Sequence, residues 1–270
     1  MKSYLAAAVQ MNSLPDIEKN LVQAEDLIDL AVRQGAQLIG LPENFSFMGD
    51  EADKLAQAEA IATQSEKFLR TMAQRYQVTL LGGGFPVPTS DGKVYNTALL
   101  MGPEGQELAR YQKVHLFDVN LPDGNTYHES STVTAGTQLP GVYASPDLGN
   151  LGLSVCYDVR FPELYRHLSK LGAEVLFIPA AFTAYTGKDH WQILLQARAI
   201  ENTCYVIAPA QTGKHYAMRQ THGHASIIDP WGMVLANAGH KPGVAIAAIE
   251  PSRLGQVRRQ MPSLEHRVFA

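Results

Sequence analysis

Only two cysteines, Cys156 and Cys204, occur in 270 residues. A secreted chain of this size more often carries several disulfides, so the pair reads as free thiols and a reducing cytoplasm is the expected compartment. No apolar run approaches the roughly 18 residues of a membrane span. The N-terminal MKSYLAAAVQM is interrupted early by Gln10 and Asn12 and no convincing small-residue cleavage site follows, so it reads as a buried strand rather than a signal peptide. Basic residues gather no further than Arg258-Arg259, and with a net charge of -4 neither nucleic acid nor an anionic membrane is an expected partner. No linker, charge block, internal repeat or low-complexity segment divides the chain, so residues 1–270 are expected to form one domain. These absences leave small-molecule chemistry as the expected business.

What is abundant is apolar: 46% of the residues are hydrophobic, enough to fill a sizeable core. Short runs recur, among them LAAAVQM, AQLIGLPE, VTLLGGGF, NTALLMG, LGLSVCYD, EVLFIPAAF, CYVIAPAQ, HASIIDP and VAIAAIE. They are too evenly apolar for surface strands and belong in sheets covered on at least one face. Helical periodicity runs over residues 16–34, 51–77, 162–171 and 189–202. The mixture predicts an α/β fold with a two-layer sheet core and helices outside. The irregular stretch from Phe117 to Leu148 is long for a loop in a compact domain, and such loops are often functional.

Three positions stand out chemically. Cys156 lies where a buried strand meets a turn and then a helix, a geometry that lifts a side chain above a sheet edge. Taken alone it reads more readily as a small core hydrophobe. Glu43 closes the run AQLIGLPE, where burial would raise its pKa unless a cation lies near; a surface glutamate is the plain alternative. Lys113 ends an alternating stretch, and an inward ammonium there needs an anionic partner, whereas an outward one is simply solvated. Cys204, inside TCYVIAPA, has no polar turn after it and reads as core.

Together and in order, LPENF, RYQKVHLFDV, YHES, LSVCYDVRFPELYR and TGKDHWQILLQARAIEN resemble the pattern of the nitrilase, or carbon–nitrogen hydrolase, superfamily across essentially the whole chain. Within it the chain is similar to the small Nit-type amidases. The segments QTGKHYAMRQTHGHASIIDPWG and MPSLEHR resemble the deaminated-glutathione amidases, while ω-amidases share much of the framework. The resemblance implies a four-layer α-β-β-α sandwich of two mixed sheets, and a Glu-Lys-Cys triad of Glu43, Lys113 and Cys156. Glu129 matches a second family glutamate that orients the lysine or the substrate. Oxyanion stabilisation falls to Lys113 and the backbone N–H of Tyr157. Thr186 is assigned to a substrate carboxylate, and Tyr95 and Asn96 to lining or supporting the pocket. No metal or organic cofactor is implied.

Arg160, four residues past Cys156, is suited to grip a substrate carboxylate in bidentate fashion; an ion pair with Glu163 is the structural alternative. His215, His222 and His224 straddle a glycine-flanked turn without accompanying cysteine or aspartate and read as turn packing rather than a zinc site. By resemblance, the two helices after the nucleophile pair subunits into a homodimer. The expected activity is cleavage of a small carboxylate-bearing amide through a thioester. A nitrilase shares the triad, a non-catalytic binding protein would keep the fold, and a papain-like enzyme would use His115 or His190 as its base.

Overall fold

The computed structural model describes residues 1–217 and 219–268. The chain begins with β1 (Tyr4–Met11), α1 (Ile17–Arg33), β2 (Ala36–Gly40), α2 (Glu51–Ala56) and α3 (Ala58–Tyr76). A run of strands follows: β3 (Thr79–Pro88), β4 (Val94–Met101), β5 (Glu107–Gln112), the small hairpin β6 (Asp118–Asn120) and β7 (Thr126–His128), then β8 (Val142–Ser145). After β9 (Gly149–Leu153) come α4 (Pro162–Lys170), β10 (Val175–Phe177), α5 (Ala184–Asn202), β11 (Tyr205–Ala208) and β12 (Ala210–Lys214). The chain closes with β13 (Gln220–His222), β14 (Ser226–Ile228), β15 (Val234–Asn237), β16 (Gly243–Ile249) and α6 (Pro251–Gln260).

Two mixed sheets form the centre. The first runs β13-β12-β1-β2-β3-β4-β5, with β16 antiparallel to β1; the second runs β15-β14-β11-β10-β9-β8. Side-chain alternation explains the layering. In β1, Tyr4, Ala6 and Ala8 face the other sheet and join Leu153, Val175 and Phe177, while Ala7, Val9 and Met11 face the outer helices. The outer cover of the first sheet is α1, through Ala24, Ile28 and Ala31, and α3, through Phe68, Leu69, Met72 and Ala73. Over the second sheet lie α4, through Leu164 and Leu168, and α5, through Trp191, Leu195 and Ala199. The order is helix, sheet, sheet, helix.

Element boundaries follow local chemistry. The Asp16 carboxylate caps α1 by accepting from Lys19 N at 3.1 Å. Residues 51–77 form two helices that meet at Gln57, with helical hydrogen bonds continuing on both sides of it. Helix α5 starts at Ala184, five residues before the periodicity of residues 189–202, because Thr183 caps it and Gly187 fits against β13. A Cβ at Gly187 would lie 2.3 Å from that of His222. Helix α6 is the element the sequence reading lacked; its signals are Pro251 in the first turn and the buried pair Leu254 and Val257. The stretch 117–148 is partly regular, holding β6, β7, a 3-10 turn at Glu129–Ser131, and β8.

Candidate active site

Glu43 enters the space between the sheets because the backbone beside it has no side chains. Past β2 the chain stays pinned to β3, with Leu41 N donating to Leu81 O and Asn44 N to Gly84 O. A Cβ on Gly83 would sit 2.2 Å from Leu41 O, and one on Gly84, at φ +90°, 2.6 Å from Asn96 Oδ1. Only glycine admits this approach. The buried carboxylate is fully engaged: Oε1 accepts from Lys113 Nζ at 3.1 Å and Asn96 Nδ2 at 2.9 Å, and Oε2 from Ala181 N at 2.9 Å. Ala181 follows β10, so this last bond joins the two sheets.

Lys113 directly follows β5 and its side chain is 2% exposed. The ammonium donates to Glu43 Oε1 and to both oxygens of Glu129, at 2.9 and 2.8 Å. Glu129 Oε2 also accepts from Phe117 N at 2.6 Å, tying the lysine to the hairpin of β6 and β7. Two carboxylates against one ammonium leave this cluster with one net negative charge.

Cys156 comes from the other sheet. Beyond β9 it takes a left-handed conformation, φ 49°, and opens a 3-10 turn, Cys156–Arg160, before Pro162 starts α4. Such strain in a non-glycine residue persists only where its surroundings impose it. Here Cys156 N donates to Pro179 O at 2.8 Å, and the wholly buried Asp158 accepts from Val155 N at 2.8 Å. Asp158 also accepts from Tyr111 OH at 2.8 Å and from His115 N at 3.2 Å, and its Oδ1 lies 2.7 Å from His115 Nδ1. Tyr111 and His115 stand two residues either side of Lys113, so Asp158 fastens the Cys156 turn to the Lys113 loop. Sequence reasoning missed this bracket; the signal was an aspartate two residues after Cys156 in a run otherwise suited to core. Tyr157, second in the 3-10 turn, has an N–H that donates to no backbone carbonyl outside regular elements, unlike that of Cys156.

Burial and charge act against each other on these groups. Burial raises Glu43, but the Lys113 ammonium and the hydrogen bonds on both oxygens outweigh it and hold the carboxyl below its ordinary value of 4.5. Burial lowers Lys113, yet Glu129 and Glu43 keep it well above 10.5. Burial and the Glu43 charge push the Cys156 thiol well above 9.0, against the pull of Lys113. The resting state is carboxylate, ammonium and thiol.

Glu43, Lys113, Glu129, Cys156, Asn96 and Thr186 all line one cavity of about 360 Å³. Thr186 is buried, its hydroxyl 2.8 Å from that of the capping Thr183. Tyr95 is not on the cavity wall, a correction to its expected place: strand alternation in β4 sends Asn96 inward and Tyr95 to the opposite face. Arg160 closes the 3-10 turn instead of opening the helix, and sits beside the cavity rather than on its wall. Its guanidinium carbon is 5.1 Å from the Phe182 ring centroid and 5.9 Å from that of Tyr157, and Nη1 is 3.3 Å from His190 Nδ1. Those neighbours, not Glu163, occupy it. His215 lies between Ser13 O and Thr221 Oγ1, and His222 stacks on His224. His115 is held by Asp158 and stacked 3.7 Å above Phe161. Cys204 is core, its thiol donating to Ala173 O at 3.1 Å and Asn202 O at 3.2 Å.

Residues 5–259 match the model of the carbon-nitrogen hydrolase family. The chain belongs to that family. A carbon–nitrogen hydrolase it resembles over the full length of both chains is the deaminated glutathione amidase of Synechocystis, 73% identical. The human deaminated glutathione amidase is 39% identical over 97% of this chain and 82% of its own length. Among solved structures, that of the Caenorhabditis elegans NitFhit protein superposes with a TM-score of 0.94 at 38% identity, covering 99% of this chain and 66% of that one. The four-layer architecture is thus that of the nitrilase superfamily, and this carbon–nitrogen hydrolase is an enzyme of C–N bond cleavage. Among the described residues no helix is long and apolar enough to cross a membrane.

Proposed function

We propose that this chain is an amidase that cleaves small carboxylate-bearing amides, deaminated glutathione foremost, through a thioester on Cys156. The observation that carries the reading is the convergence of Glu43, Lys113, Glu129 and Cys156 on one cavity. In the proposed cycle Glu43, as general base, takes the thiol proton while sulfur attacks the amide carbon, a role typically worth about 10² to 10⁴ in rate. The developing oxyanion is met by the Lys113 ammonium and the Tyr157 N–H; one such donor is worth roughly 3 kcal/mol at the transition state. Glu43 then passes its proton to the leaving amine, and later activates the water that opens the thioester. Glu129 orients Lys113, Asn96 orients Glu43, and Arg160 with Thr186 receives the carboxylate of the acyl part.

The deaminated-glutathione assignment is supported by the Synechocystis relative and by the cavity's size. At roughly 30 Å³ per molecule the space equals about a dozen waters, more than a ketoglutaramate needs. An ω-amidase acting on ketoglutaramate is the second reading, since it uses the same acyl group. A panel of deaminated glutathione, ketoglutaramate, glutamine and an aliphatic nitrile separates them. Highest kcat/KM on the first is the expected result, and preference for the nitrile would overturn the amidase.

The whole chain is proposed to act as one domain, in the cytoplasm, as a homodimer joined through α4 and α5. Exposed Ile193 and Ile200 on α5 and Leu171 at the end of α4 support the pairing. A single species near the 29.5 kDa of one chain at micromolar concentration, in sedimentation or gel filtration, would refute it.

A further inference from the structure

One cation on the cavity wall has no ion-pair partner among the described residues. Of the wall's other cations, Lys54 is paired with Glu51 and Lys113 with Glu43 and Glu129. Arg219, also on the wall, enters none of the ion pairs found among the described residues, and its buried Nε has no hydrogen-bond partner. A half-buried guanidinium without a carboxylate partner is costly, and this one cannot escape by losing its proton. Its backbone is held in place: Arg219 N donates to Tyr216 O at 2.9 Å and Arg219 O accepts from His215 N at 3.1 Å, while His215 is itself fixed by Ser13 and Thr221.

Aromatic rings place this cation relative to the other one. The Arg219 guanidinium carbon lies 5.6 Å from the centroid of Tyr127; Tyr127 is 5.1 Å from Phe117, Phe117 is 5.0 Å from Tyr157, and Tyr157 is 5.9 Å from the guanidinium of Arg160. Three rings therefore separate two guanidinium groups, with Cys156, next to Tyr157, on the same cavity. A row of rings with Arg219 on the cavity wall at one end and Arg160 beside the cavity at the other matches an extended substrate that is anionic at both ends. A guanidinium stacked on a ring face can still pair with a carboxylate through its edge, and Tyr216 is a further neighbour of this one.

We infer that Arg219 binds the carboxylate of the leaving group, so that the favoured substrates are amides whose nitrogen carries an amino acid or short peptide with a free C-terminus. This rests on the amidase reading above and extends it from the acyl half of the substrate to the departing half. Ammonia has no carboxylate to offer and gains nothing from Arg219.

Deaminated glutathione, its C-terminal glycinamide and ketoglutaramate share one acyl group and differ only in what leaves. With the wild-type enzyme, kcat/KM for deaminated glutathione should exceed that for the glycinamide by about 100-fold, the usual scale for losing one partner of a desolvated charge pair. Arg219→Gln should erase that ratio while leaving the glycinamide and ketoglutaramate within about threefold of wild type, and Arg219→Lys should keep part of it. Equal rates on deaminated glutathione and its glycinamide in the wild type would overturn the inference, and need no variant that folds. So would an Arg219→Gln loss spread evenly over all three substrates. Wild-type enzyme inactive on all three would instead bring down the amidase reading, and this inference with it.

Discussion

Cys156 and Cys204 are both free, both buried and both held above the ordinary thiol pKa, Cys204 at about 12. Their surroundings separate them. Cys204 spends its proton on two core carbonyls and is not on the wall of the cavity that Cys156 lines. Cys156, itself left-handed and just beyond the ladder, borders a cavity and has a carboxylate and an ammonium for neighbours. Burial alone raises a thiol; what makes one a nucleophile is a base ready to take its proton and room for the atom it attacks.

The sharpest break of this comparison is to delete each sulfur. Cys156→Ala should lower kcat by about 10⁴ or more in ammonia- or amine-release assays, whereas Cys204→Ala should leave kcat/KM within twofold and cost ~1–2 kcal/mol in denaturant melts. Comparable activity losses would mean the two sites are not distinguished by chemistry. Glu43→Gln keeps the shape of the base and removes its charge. The expected fall in kcat is about 10² to 10⁴, and a loss under tenfold would point to a histidine base. Asp158→Asn weakens the bracket without entering the cavity; a roughly tenfold loss of kcat is expected, with a matching drop in the rate at which iodoacetamide labels Cys156.

The smallest effect expected is that of pH. Glu43 is depressed in the folded state, so its stabilising share is complete above the ordinary value of 4.5 and is lost as pH falls through the lower folded value. Lys113 is raised, so its share is complete below 10.5 and is lost only at higher pH. Between about pH 5 and 9 neither group changes charge, and kcat/KM should stay nearly level. A limb near pH 6.5 would assign the proton transfer to a histidine.

Much of this was readable from residue order. The strands announced themselves as short apolar runs, and Glu43, Lys113 and Cys156 each stood where such a run ended, which is where a layered α/β fold exposes side chains. Asn96 and Thr186 line the cavity and Tyr95 does not, because one step along a strand reverses direction. Arg160 and the start of α5 shifted because a 3-10 turn and the Gly187–His222 contact leave no periodic trace. The Asp158 bracket and the place of Arg219 on the cavity wall were invisible, since both depend on partners from distant segments: Tyr111 and His115 for one, Tyr127 for the other.

Glu43 and Lys113 descend from the first sheet and Cys156 from the second, with the Ala181 amide reaching across. Catalysis in such a molecule is a gauge of interlayer alignment. A slip of about 1 Å between the layers would leave every ladder and helix intact, yet part sulfur from base, and misplacement on that scale can cost about a hundredfold. Turnover should therefore vanish on warming before circular dichroism records any melting.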